Sequence, residues 1–136
     1  MDAAPGPTEI DLVFFAVGGQ VFAVESAKVR SLSEVGKVIA PAMADVLGLP
    51  AQTDPAPREW LLRLVHPHGT LAVRVNEPVV QEHLPISDLY PLPLLLEARL
   101  TLPWVRALVR WRESAGDEML IVVLDPARFA DGLVST

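Results

Sequence analysis

The hydrophobic pattern is densest near the start of the chain. Two runs of β-branched and aromatic residues, 10–17 and 21–24, flank Gly18, Gly19 and Gln20. Glycine supplies the positive φ that a tight turn needs, so the two runs read as a β-hairpin. Successive strand residues alternate faces: Ile10, Leu12, Phe14 and Ala16 fall on one, and Val13, Phe15 and Val17 on the other. Neither face is polar, which predicts a strand covered on both sides, as in a closed or tightly packed barrel. After Val24 the pattern breaks. Glu25 to Lys28 read as one helical turn with Ser26 as N-cap, and Val29 to Leu32 extend again as a third strand.

Further along, Lys37 to Ala40 read as a short strand, followed by a helix with Pro41 at its first position and Gly48 as its stop. Met43, Val46 and Leu47 share one face of that helix. Gln52 to Arg58 read as a loop around Asp54-Pro55-Ala56-Pro57. Trp60 to Val65 and Leu71 to Val75 form a second predicted hairpin, with Arg63 and Arg74 marking its wet face. Pro78 ends ladder bonding there or places the segment at an edge, and Val79 to Leu84 continue as a ragged extension to Pro85. Ile86 to Pro93 read as loop, and Leu94 to Leu102 fit either a helical turn or an edge strand. A strand from Pro103 to Trp111, a turn at Ser114 to Asp117 and a buried strand from Met119 to Leu124 follow. Asp125 as cap and Pro126 at the first position open a final helical segment, on which Phe129 and Leu133 share a face. Short strands with turns every ten or so residues are the pattern of barrels and sandwiches.

Composition narrows the function classes. At 136 residues and 51% hydrophobic the chain is long and apolar enough for a sizeable core, as one domain or two small subdomains. Eleven basic against 17 acidic residues give a net charge of −6, which argues against nucleic acid as a partner. The absence of cysteine removes thiol catalysis, disulfides and thiolate metal sites, and fits a reducing compartment. No basic-then-apolar leader opens the chain, and prolines and charges interrupt the greasiest window, 89–109, so a soluble cytoplasmic protein without membrane insertion is expected.

Candidate chemistry is sparse. His66 and His68 lie two apart on a hairpin turn, but a metal site needs three or four ligands, and His83 is remote in sequence with no flanking carboxylate cluster. Asp125 with Asp131, and Asp117 with Glu118, fit capping and turn roles, with no nucleophile or base placed to complete a catalytic set. No serine sits in a nucleophile elbow, and Gly18-Gly19 lacks the spacing of a phosphate loop. A ligand-binding or enzymatic barrel would need converging polar groups, which this sequence does not offer. Trp104 and Trp111, seven apart on one strand, fall on opposite faces and suit core packing, with an exposed one able to anchor a partner. Leu92, Leu94, Leu95 and Leu96 read as packing between subdomains. No catalytic residue, cofactor or metal is expected.

Taken in order, these elements resemble the CheW-like domain, the coupling module of bacterial chemotaxis and related chemosensory systems. Leu12 to Val24 match its opening strand, glycine turn and second strand, and Val29 to Leu32 its next short strand. Gly36 to Leu49 are similar to its G-x-hydrophobic-x-P-x-x-D-x-x-x-x-L-G segment, with Asp45 displaced by one or two places. Gly116 to Asp125 with Ala127 to Phe129 resemble the closing strand and C-terminal helix. The likeness covers most of residues 10–133.

The resemblance implies a mainly β fold of two small five-stranded SH3-like barrels side by side, with short helices and a C-terminal helix. Residues 1–9 would be a flexible tail, 10–133 a single domain of two β subdomains, and 134–136 the C-terminal end. It also implies a non-enzymatic adaptor that binds a chemoreceptor cytoplasmic tip, a CheA-type histidine kinase or another CheW-like protein, with recruitment to receptor clusters. By family position the binding residues are Val29, Arg30, Ser31 and Leu32 on the third strand, and Val79 and Val80 in the second barrel. One departure is specific: the family's I-x-G-hydrophobic-I-N-L-R-G segment has no counterpart, since Leu32 to Gly36 bridge that gap directly. Ser31 also replaces a common acidic residue, and Val75-Asn76 a V-D pair. The first barrel is therefore expected to be trimmed. An accessory subunit that pairs with itself or with a full-length relative is the alternative role.

Overall fold

The computed structural model describes residues 8–50, 58–91, 104–112 and 116–135. Its opening hairpin joins β1 (Glu9–Val17) to β2 (Gln20–Glu25), with Val17 paired to Gln20. Gly18 and Gly19 make the turn at φ 58° and 84°. Positive φ at both central residues matches the turn's twist to that of the strands and fixes the register of the pair. A 3₁₀ turn at Ser26–Lys28 leads into β3 (Val29–Glu34). The helical turn is thus where the sequence places it, but its cap is Glu25 and no side chain caps it. Ser26 is the first residue of the turn, with its hydroxyl buried and without a hydrogen-bond partner among the described residues.

Lys37 to Ala40 do not form a strand. Pro41 offers no N–H to a ladder, and only Ala42 makes an isolated bridge, to Arg74. The Arg74 side chain holds the segment instead, donating from Nε to the Ala40 carbonyl at 2.8 Å and from Nη1 to both Glu59 carboxylate oxygens at 3.0 Å. Arg74 is therefore half-buried and committed rather than simply wet. Helix α1 (Met43–Leu47) starts two residues after Pro41 and stops at Gly48, which adopts φ 72°. Met43 and Leu47 are buried.

The second hairpin joins β4 (Glu59–His66) to β5 (Gly69–Pro85), with His66 paired to Gly69. Strand β5 is one element of 17 residues. Its first half pairs with β4 through Asn76; from Asn76 to Pro85 it pairs with β1. Pro78 does not end the strand. It lies just past the position where β5 exchanges one neighbour for another, so its missing N–H falls at a change of ladder. A 3₁₀ turn at Ile86–Asp88 and β6 (Leu89–Pro91) occupy the stretch expected to be loop. Strands β7 (Val105–Arg112) and β8 (Glu118–Leu124) follow. Within β8 the burial is partial, because Met119 and Leu120 are exposed. Asp125 caps the C-terminal segment by accepting from the Ala127 N–H at 3.1 Å, ahead of Pro126. That segment consists of two 3₁₀ turns, Pro126–Arg128 and Asp131–Leu133, and β9 (Val134–Ser135) then pairs with β5. The stretch 94–102, the first half of the turn 114–117, the loop 52–57 and the leucines at 92–96 lie outside the described residues.

Among the described residues the strands form one sheet in the order β3-β4-β5-β1-β2-β8-β7-β6, with β9 attached to β5. The sheet encloses two cores. In the first, Phe15 and Val17 of β1 meet Phe22 and Val24 of β2, Leu62 and Leu64 of β4, Leu71 and Val73 of β5, and Met43, Leu124 and Phe129. In the second, Leu12 and Phe14 of β1 meet Ala23, Ala107, Val109, Ile121 and Val123. Strands β1, β2 and β8 therefore form a wall with one core on each side, as the apolar pattern of residues 12–17 on both faces of β1 requires. This mainly β architecture of two small subdomains is the one expected. The two tryptophans do lie on opposite faces. Trp104 stacks on Phe129 beside the first core with ring centroids 6.4 Å apart, and Trp111 stacks on Phe14 beside the second at 5.1 Å.

His83 of β5 is not isolated, contrary to the sequence reading. Its cross-strand neighbour on β1 is Asp11, and Asp11 and Glu9 hydrogen-bond its two ring nitrogens. The pairing of β1 with β5 brings together residues more than 70 positions apart, which is why sequence proximity misses it. The hydrogen bond to Asp11, then that to Glu9, raises the imidazole pKa above its ordinary value.

Two outcomes follow. Truncation of Phe14, 2% exposed, to alanine is expected to destabilise the fold by about 3–5 kcal/mol, read as a drop in urea midpoint. An unchanged midpoint would refute its role in the wall. Because the folded state favours protonated His83, its contribution is complete below the ordinary histidine range and is lost as pH rises through the raised pKa. The melting temperature of His83→Gln should therefore fall less than that of the parent as pH rises from below the ordinary histidine range to well above it. Parallel profiles would show that the two carboxylates do not act on the ring.

Candidate partner-binding surface

The described residues hold no cluster of three or more His, Cys, Asp or Glu able to bind a metal. The His66/His68 pair is explained by its bonds. His66 is 4% exposed; its Nδ1 accepts from the His68 backbone N–H at 3.1 Å, and its Nε2–H donates to the Phe129 carbonyl at 3.1 Å. Both ring nitrogens are thus spent on the backbone, joining the β4–β5 turn to the C-terminal segment. The residue is a structural tie.

What remains is a surface built where β3, β4 and the middle of β5 meet. Leu32 pairs with Leu62 and Glu34 with Trp60, so cross-strand geometry puts Leu32 and Trp60 on the same side of the sheet. Val79, paired with Phe15, reaches that side from β5 just after its change of neighbour. Leu32, Trp60, Glu77, Pro78 and Val79 line an open groove of about 490 Å³. Leu32 is 41% exposed, large for an aliphatic side chain on a strand whose other apolar residue, Val29, packs on the first core.

The groove has a charged rim. Arg58 pairs with Glu34 and lays its guanidinium 4.4 Å from the centre of the Trp60 ring. Trp60 in turn donates from Nε1 to Glu77 at 3.3 Å. The chain Glu34–Arg58–Trp60–Glu77 holds the indole upright as one wall, and leaves the floor apolar. Such a surface can desolvate an apolar side chain of a protein partner, with the acidic rim favouring neighbouring basic groups. It has no nucleophile or paired acid and base for bond chemistry.

Of the residues expected at a binding site, the structure brings Leu32 and Val79 together. Arg30 lies exposed further along β3, and Ser31 is half-buried on the opposite side of the strand from Leu32. Val29 is partly buried against the first core. Val80 points to the other side of β5 from Val79 and is 40% exposed. Sequence reasoning missed Trp60, Arg58, Glu77 and Pro78. An aromatic at the first positions of a strand, two residues after an arginine, was a usable signal; the meeting of residues 32, 60 and 79 depends on strand pairing and was not.

No helix among the described residues is long and apolar enough to cross a membrane. No family model matches the sequence, and no curated protein matches it. Solved structures do. The crystal structure of the scaffolding protein TtCheW from Thermoanaerobacter tengcongensis superposes with a TM-score of 0.64 over 93% of this chain and 91% of that one, at 10% identity. With the two-core sheet described above, that correspondence over nearly the whole of both chains shows that this protein has the CheW fold.

Proposed function

We propose that the protein is a non-enzymatic scaffold of a bacterial chemosensory complex, joining a chemoreceptor tip and a CheA-type histidine kinase through protein–protein contacts. The observation that carries this reading is the match in fold, end to end, to a protein described as a scaffold. The groove of Leu32, Trp60, Pro78 and Val79 supports it as the docking surface, since it offers an apolar floor with an acidic rim and no reactive group. Arg30, exposed on β3, extends this surface along the strand. The site of action is the cytoplasm, at receptor clusters.

One observation favours a narrower, accessory role. From Glu34 the chain runs through a turn at Gly36 straight to α1, with no segment corresponding to I-x-G-hydrophobic-I-N-L-R-G. In this reading the protein is a shortened CheW-like subunit that keeps the groove and lacks part of the coupling surface. It would then join a full-length relative rather than replace it.

Leu32→Asp tests the docking surface. Binding to a purified receptor tip or kinase regulatory domain, followed by calorimetry, should weaken roughly tenfold or more, as for a central apolar contact. The melting temperature should hold, because Leu32 is 41% exposed. If the variant unfolds, Leu32 belongs to the core and the assignment fails. Absence of binding by the parent chain to receptor tip, kinase domain and CheW-like relative alike would overturn the scaffold reading itself.

A further inference from the structure

We infer that the protein forms an isologous dimer in which β3 pairs antiparallel with β3 of a second copy. Among the described residues β3 stands at the end of the sheet and bonds to β4 alone. A strand edge of six residues carries unpaired N–H and C=O groups, and proteins ordinarily blunt such edges or cover them. Here the irregularity that does so is confined to the start of the strand, a register shift between Val29 and Ser31, and Ser31 to Glu34 pair regularly with β4.

The sequence of the edge is complementary to itself. Leu32 and Glu34 lie on one side of β3 and are exposed, with Ser31 and Ser33 on the other; Arg30, also exposed, sits in the bulge just ahead of them. A two-fold axis through Leu32 sets Leu32 opposite Leu32 of the partner subunit. The same axis sets Arg30 opposite Glu34 of the partner subunit, Glu34 opposite Arg30 of the partner subunit, and serine opposite serine. Moving the axis to Arg30 or to Glu34 stacks like charges, and moving it by half a residue leaves both charges opposite uncharged residues. Parallel pairing in register also stacks like charges. One register alone satisfies both charged residues, and it is the one that closes at two subunits.

Glu34 already pairs with Arg58, but a carboxylate has about four acceptor positions and can serve both arginines. Arg30 makes no ion pair within the described residues. The groove beside Leu32 extends the apolar contact inward from the axis. Two short strands bury less than the roughly 1,200 Å² of a standard stable interface, so the dimer is reversible and builds up with concentration. Since Leu32 sits on the axis, dimerisation also covers one wall of the groove. That consequence for partner docking rests on the scaffold reading, whereas the dimer itself does not.

Sedimentation velocity from low micromolar to near-millimolar concentration should show the mass of the full chain moving from one subunit to two. Arg30→Glu leaves two glutamates facing two glutamates, and Glu34→Arg two arginines facing two arginines. Each variant alone should dissociate roughly tenfold more readily, the scale of replacing two opposite-charge pairs by like-charge pairs. Mixed in equal amounts, the two variants are complementary and should recover the dimer. A parent chain that stays monomeric throughout, single variants that dimerise as well as the parent, or a mixture no better than its components would each overturn the proposal. Thermal melts confirm that both variants fold, and Arg30→Glu, which disturbs no ion pair within the described residues, carries the test alone if Glu34→Arg melts early. The assay contains no receptor or kinase, so its outcome is independent of the scaffold reading.

Discussion

Everything in this fold depends on a wall of three strands that is dry on both faces. β1, β2 and β8 give alternate side chains to two separate cores, with Phe15, Val17, Phe22, Val24 and Leu124 on one side and Leu12, Phe14, Ala23, Ile121 and Val123 on the other. A sheet with one wet face is held in register by its polar residues, because a slip of one position would expose the apolar set. This wall has no such guard, since a slip would exchange one apolar set for another. The Gly18-Gly19 turn supplies the missing constraint by pairing Val17 with Gln20. Side-chain size reinforces it: alanines at 23 and 107 leave room in the second core for the stack of Phe14 on Trp111.

The second organising element is β5. A strand of 17 residues can serve both halves of the molecule only by changing neighbours along its length. Its outer side is completed piecemeal, by β9 at Thr70 and Leu71, by Ala42 at Arg74, and by β1 from Asn76 onward. The groove lies at that change of partner, where the β4 ladder ends at Asn76 and the β1 ladder begins. It is a product of topology more than of any local motif.

That division explains what the sequence disclosed. The opening hairpin, the two faces of β1, the stop of α1 at Gly48 and the Asp125 cap are local: each is decided by a few neighbouring residues and follows from alternation, glycine conformation or capping. Lys37 to Ala40 were misleading because an apolar tetrad has no fixed meaning until its neighbours in space are known, and the choice between the two readings of Pro78 needed the same knowledge. Ala40 is held by an arginine 34 positions away, and Pro78 is tolerated because it stands at a boundary between ladders. The groove was half legible. Leu32 and Val79 were found by family position, while Trp60 and Glu77 needed the pairings of β3 with β4 and of β4 with β5. His83 shows the same limit, its carboxylates lying on β1.

The unbroken course of β5 also sets the mechanics of the molecule. Val79 in the groove and Leu84 against the second core stand five positions apart on one strand, with no linker between them. Two bodies bound to opposite ends of this protein would be held at a set angle, as by a carpenter's square.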